Sequence, residues 1–236
     1  MKPQLFILHH AGGNCYSYQF LMPFVTEHFD VIATELPGRG KRVLEPLITT
    51  RDEAMLDLAM LIKGKLNGQP YITYGHSMGA MLTPGVVNML TRTGAPPVAC
   101  IVTGCSTPVI PEGLVRHLLP QDELGLVLRD MGGVPDEFFH SPELVAFFEP
   151  IVRADFKIAE TATAAEDIPV ISSPIHNIMG TEEFFLDKVQ EWQNFTTGEF
   201  THEQMEGAHF FIHNHPKELG ARIKQCYDRY LVHQNG

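Results

Sequence analysis

A chain of 236 residues, 44% of them hydrophobic, is long enough to bury one sizeable α/β core and too short for two full domains. Its net charge of −11 excludes nucleic acid and anionic lipid as general partners, since both require a basic surface. Four cysteines, Cys15, Cys100, Cys105 and Cys226, show no Cys-x-x-Cys spacing, which argues against a disulfide framework or a zinc cluster and for a reducing, cytoplasmic setting.

The N-terminus, MKPQLFILHH, holds an apolar run too short for a signal-peptide core or a membrane span, so it reads as a first buried strand over residues 5–8. A second apolar run covers 31–36, and further strands are predicted over 71–74, 99–103, 175–179 and 200–205. Between them lie helix-length segments. Over 52–65, Met55, Leu58, Ala59, Ile62 and Leu66 recur at helical spacing, with Asp52 as a candidate start. Such alternation predicts one α/β domain over 1–236, its mostly parallel central sheet covered by helices on both faces. Residues 112–155 break the rhythm. Amphipathic pieces at 121–129 and 142–153 with no strand between them predict a helical cap over the sheet, and most of its apolar residues are expected to pack helix on helix.

The strand at 71–74 runs directly into Gly75-His76-Ser77-Met78-Gly79 and then into an apolar helix. Strand, Gly-x-Ser-x-Gly and helix in that order form the nucleophile elbow of the α/β-hydrolase fold, where a tight turn strains the serine and leaves no room for Cβ atoms at the glycines. The plain alternative is a serine capping a helix. A serine hydroxyl needs a base, and in this fold the chain order is nucleophile, acid, histidine. Gly207-Ala208-His209-Phe210-Phe211 follows the last strand and offers His209; His213 and His215 lie beyond it, towards a final helix opened by Pro216. The spacing of His209 and His213 suits a metal pair, but no Cys or carboxylate stands nearby at ligand spacing, and none is assigned. After the strand at 175–179 come Glu182, Glu183 and Asp187, of which Glu183 is favoured to orient the imidazole. Backbone N–H groups of Ala11, in His9-His10-Ala11-Gly12-Gly13, and of Met78 are the expected oxyanion donors.

Taken together, His10-Ala11-Gly12-Gly13, Glu35-Leu36-Pro37-Gly38-Arg39-Gly40, the elbow, Arg153-Ala154-Asp155-Phe156 and Gly207-Ala208-His209-Phe210-Phe211 resemble the type II thioesterases of nonribosomal peptide and polyketide synthesis, over nearly the whole chain. The resemblance implies a Ser77, Glu183, His209 triad. It also implies hydrolysis of acyl groups from the phosphopantetheine arm of an acyl or peptidyl carrier protein, by a cytoplasmic monomer with no cofactor of its own. Arg116, Arg129, Arg153 and Lys157, in or beside the cap, are candidates to meet an acidic carrier. Three positions depart from the family pattern: Glu183 stands for aspartate, His9 for proline, and Pro84-Gly85 interrupt the helix after the elbow. Proline inside a helix costs on the order of 3 kcal/mol, so a kink is predicted, with space opening beside Ser77. The competing readings are a small-ester carboxylesterase, acyl transfer or cyclisation from the same acyl-enzyme, and a degenerate scaffold that binds acyl chains or carriers.

Overall fold

The computed structural model describes residues 1–133 and 136–234. Six strands form one parallel sheet in the order β2-β1-β3-β4-β5-β6. They are β1 (Gln4–Leu8), β2 (Asp30–Ala33), β3 (Tyr71–His76), β4 (Cys100–Thr103), β5 (Ile175–Gly180) and β6 (Phe200–Met205). β1, β3 and β4 are buried along their whole length because helices cover both faces, and successive side chains divide between them. Leu5 and Ile7 join a core with Leu21, Val25, Leu219 and Ile223, contributed by the segment around α1 (Met22–Val25) and by α7 (Pro216–Gln234). Phe6 and Leu8 point the other way, into a core with Leu58, Ile62, Leu82 and Val86 from α2 (Arg51–Lys65) and α3 (Met78–Arg92).

Several boundaries move for identifiable reasons. The second strand ends at Ala33 rather than at residue 36, since the Leu36 N–H donates to the His9 ring (3.2 Å) and not to a neighbouring strand. Helix α2 is capped by Thr50 instead of Asp52: the Thr50 hydroxyl accepts from Glu53 N–H and donates to the Glu53 carboxylate (2.6 Å). Helix α3 continues without interruption through Pro84. The Thr83 hydroxyl donates to Gly79 C=O (2.8 Å) and Arg51 donates to Met81 C=O (2.9 Å), which ties the turn on both sides of Ala80, the residue whose C=O the proline leaves without its helical donor. Nor does the proline open space beside Ser77. It lines a separate cavity with Arg51, Met55 and Thr163.

The cap consists of α4 (Gln121–Met131), α5 (Asp136–Phe139) and α6 (Pro142–Ala159), with a short 3₁₀ turn at Arg116–Leu118 before them. An antiparallel bridge between Ile110 and Thr163 pins its two ends together, and α6 runs past the expected end of the insertion at residue 155. Among the described residues no helix is long and apolar enough to cross a membrane.

Parallel strands deliver the segments that follow them to one edge of the sheet, where open α/β folds place their sites. Here that edge gathers the loop after β1, the elbow after β3, the turn after β5 and the loop after β6.

Candidate active site

Ser77 sits between β3 and α3 at φ 54° and ψ −115°, a strained region for a residue with a side chain. Its N–H donates to Thr103 C=O (2.9 Å), and its C=O accepts from Met81 N–H (3.1 Å), so neighbours on both sides hold the strain. The flanking glycines are required by close approach: a Cβ on Gly75 would stand 2.5 Å from Gly79 O, and one on Gly79 would stand 2.2 Å from Leu8 O. Backbone on backbone cannot yield as a flexible side chain can.

The structure brings His209 to this hydroxyl and Glu183 to His209. His209 Nε2 lies 3.0 Å from Ser77 Oγ, and Nδ1 lies 2.9 Å from Glu183 Oε2. With Nδ1–H donating to the carboxylate, Nε2 presents its lone pair to the serine proton, which is the tautomer a general base requires. The longer glutamate fits because its carboxylate folds back over the turn after β5, where Oε1 accepts from Gly180 N–H (3.2 Å). Glu182 and Asp187 make no contact with His209: Glu182 offers its N–H to Gly207 C=O (3.0 Å), and Asp187 is exposed in the next 3₁₀ stretch. His215 donates to Glu206 C=O (2.9 Å), while His213 ends a 3₁₀ turn before the last helix and not inside it.

Met78 opens α3, so its N–H has no acceptor within the helix. Ala11 lies in a turn closed by Gly13 N–H donating to His10 C=O (2.9 Å). Among the described residues neither amide donates to a protein acceptor, and Ala11 shares the cavity with Ser77. The cap fastens this loop. Asp155, fully buried on α6, accepts from Gly12 N–H (2.7 Å) and is paired through both oxygens with Arg39, which is itself buried. Sequence reading singled out both motifs but not their meeting. No pattern in either stretch names the other.

About 290 Å³ of cavity surrounds Ser77 and His209, walled by His10, Phe148, Phe156 and Phe210, so these two side chains face a largely apolar space. Leu128, Phe138 and Val152 separate it from a cavity of about 610 Å³ between α4 and α6 or share its lining. These cap residues are therefore walls as well as packing. The basic residues of the cap are largely engaged: Arg116 pairs with Glu160 (2.6 Å), Arg153 with Glu149 (2.7 Å), and Arg129 lies over the Phe139 ring (4.2 Å). Lys157, on the same helix as Arg153, is exposed. Among the described residues no group of three or more His, Cys, Asp or Glu side chains converges to hold a metal ion, and all four cysteines are free thiols.

Burial lowers the pKa of the His9 ring to about 4 and that of His76 well below its ordinary value, with the nearby Arg39 charge adding to the first and the His209 ring to the second. In the unfolded chain both rings take up a proton near pH 6.5, so below that pH the unfolded state holds more protons. Stability is thus expected to fall as pH drops from about 6.5 towards 4, by up to about 1.4 kcal/mol per pH unit for each ring. Denaturant unfolding from about pH 6.5 to 5, above the main carboxylate range, measures this; an unfolding free energy constant over that interval contradicts it.

The Thioesterase domain family model matches residues 3–227. The chain is 30% identical over 239 residues to linear gramicidin dehydrogenase LgrE of Brevibacillus parabrevis, an alignment covering 98% of this chain and 90% of that protein. Among solved structures, the type II thioesterase BorB from the borrelidin biosynthetic cluster superposes with a TM-score of 0.85 at 29% identity, covering 96% of this chain and 93% of BorB. ClbQ from the colibactin pathway superposes with a TM-score of 0.89 at 24% identity over 98% and 99% of the two chains, a likeness of fold. A serine elbow, a histidine and a carboxylate at one sheet edge, under a helical cap and within a match that spans almost every residue, place this chain in the thioesterase domain family of α/β hydrolases.

Proposed function

We propose that this thioesterase releases acyl groups from the phosphopantetheine arm of an acyl or peptidyl carrier protein, through an acyl-enzyme on Ser77. The observation that carries the reading is the continuous hydrogen-bonded chain Ser77 Oγ, His209, Glu183, with distances of 3.0 and 2.9 Å, opening into an apolar cavity. Ser77 Oγ attacks the thioester carbonyl while His209 Nε2 takes its proton; Glu183 holds the ring and stabilises the imidazolium. The carbonyl oxygen, now negative, takes the N–H groups of Ala11 and Met78. As the intermediate collapses the thiolate leaves with the proton from His209. A water deprotonated by the same nitrogen then attacks the acyl-serine, and the acid is freed. The pantetheine arm arrives with the substrate, so the chain needs no cofactor of its own, and it works as a cytoplasmic monomer.

Two lines of support come from relatives: BorB is a type II thioesterase of a biosynthetic cluster, and the gramicidin S biosynthesis protein GrsT of Aneurinibacillus migulanus is 27% identical over 92% of this chain. A dinucleotide-dependent reading, which the name of LgrE raises, finds no support in the turn after β1. There the Gly12 N–H is taken by the Asp155 carboxylate, whereas a pyrophosphate needs open amides.

The test presents carrier proteins loaded with different acyl groups, follows them by intact mass, and compares turnover with that of p-nitrophenyl esters of the same acids. Release of free acid from the carrier at a higher kcat/KM supports the proposal. Preference for the simple esters would make the protein a small-molecule esterase instead, and release as an ester or lactone would make it an acyl transferase.

A further inference from the structure

We infer that His9 is a positioning residue: its neutral imidazole fixes the direction of the Ala11 N–H by holding the carbonyl of His10. The inference rests on the reading of Ala11 N–H as an oxyanion donor. A trans peptide is planar, so the His10 C=O and the Ala11 N–H belong to one rigid unit and point in opposite directions. Whatever holds the carbonyl aims the N–H.

Two donors hold it. His9 Nδ1 lies 2.7 Å from His10 O, and Gly13 N–H reaches the same oxygen at 2.9 Å. On the far side of the ring, His9 Nε2 accepts from Leu36 N–H at 3.2 Å, at the point where the chain leaves β2. An Nε2 that accepts leaves the single proton of a neutral ring on Nδ1, so the two contacts specify one tautomer, and together they make a relay from Leu36 N–H through the ring to His10 C=O. The ring is 2% exposed, and burial lowers its pKa to about 4, which keeps it neutral and the relay intact at ordinary pH.

The next peptide is held in the same manner from other directions. Its carbonyl, Ala11 O, is 2.9 Å from His10 Nδ1, and its N–H, on Gly12, goes to Asp155. Gly13 is needed for the turn, because a Cβ there would stand 3.0 Å from His10 O and 3.2 Å from His9 Cβ. The family that the sequence resembles usually carries proline in place of His9. Proline stiffens its own φ but has no donor to offer; here hydrogen bonds supply the stiffness.

The experiment compares the wild type with His9→Leu, which fills similar space without a donor, and His9→Asn, whose side-chain NH₂ can stand near the Nδ1 position. Substrates are acyl-pantetheine thioesters, and an alkyl trifluoromethyl ketone, which forms a tetrahedral adduct with an active serine, reports oxyanion binding. His9→Leu is expected to lose about 10- to 100-fold in kcat, with KM within about threefold, and to bind the ketone weaker by a similar factor. His9→Asn is expected to recover most of both. Unchanged kcat in folded His9→Leu, or a loss confined to KM with ketone affinity intact, overturns the inference. Should His9→Leu fail to fold, ¹⁵N shifts of the wild-type ring decide: protonated Nδ1 and bare Nε2 support the relay, and protonated Nε2 overturns it. A Ser77→Ala control separates the two levels, since turnover surviving in that variant defeats the site itself, whereas its loss beside an unimpaired His9→Leu defeats only the positioning role.

Discussion

Ser77→Ala is expected to lower kcat by about 10⁶-fold, and Glu183→Gln by about 10⁴-fold, on acyl-pantetheine thioesters, with both proteins folded. The two losses differ because the residues do different work. Without Ser77 Oγ there is no acyl-enzyme, and only binding and the oxyanion donors remain. In the Glu183→Gln variant, the new amide can turn its NH₂ towards His209 Nδ1, which in the wild type lies 2.9 Å from a carboxylate oxygen. The ring would then carry its proton on Nε2, facing Ser77 Oγ, and could not accept the serine proton. Glu183→Asp should fall between: it keeps the charge, but one methylene less cannot span both Gly180 N–H and His209, which Glu183 bridges with its two oxygens. Steady-state kinetics together with thermal unfolding check the series. A Glu183→Gln enzyme within about tenfold of the wild type would assign the acid to another residue.

Asp155→Ala is expected to cost about 3–5 kcal/mol of stability, because it leaves the Arg39 guanidinium buried without its partner. Arg39 and Asp155 are 2% and 0% exposed, and Arg39 Nε already lacks an acceptor among the described residues, so no water-accessible escape is offered to the stranded charge. For a chain of this size the loss corresponds to a fall in Tm of about 6–20 °C. Removing both partners, as in Arg39→Met with Asp155→Leu, should recover much of the stability, since neither charge then has to be desolvated. Activity should not recover with it: the Gly12 N–H still loses its acceptor, and the loop that presents Ala11 loses its tie to α6. Denaturant melts of the two single variants and the double variant form the required cycle. An Asp155→Ala variant as stable as the wild type would overturn the expected cost of stranding Arg39.

How much of the fold and the site is legible in the sequence follows from the range of each interaction. The strands at 71–74 and 99–103 are visible because a strand covered on both faces is apolar at nearly every position, whereas 200–205 is a half-exposed edge strand recognised mainly by its place before the Gly207-Ala208-His209 loop. Ser77 is visible because the turn that strains it leaves a local signature, a glycine two positions away on each side, even though part of the crowding those glycines relieve comes from Leu8 on the neighbouring strand. His209 follows from chain order, given the fold. The acid is narrower but not unique: Glu182, Glu183 and Asp187 lie within six positions, and only the path of the turn over Gly180 decides which carboxylate reaches the ring. The cap cations show the same limit from another side. Arg116 and Arg153 look available in a linear reading, and the fold supplies each with a carboxylate.

The amino-acid sequence by itself determined the order of strands and helices, the elbow and the chemical types of the triad, since these depend on periodicity, crowding and chain order, all of which act between near neighbours or along the whole pattern. Only the tertiary structure decided that Asp155 meets Arg39 and Gly12 across more than a hundred positions, and that the His9 ring bridges Leu36 and His10. A buried hydrogen bond depends on distances of a few tenths of an ångström and on which tautomer faces which atom, and neither is encoded in the identity of one residue apart from its neighbours in space.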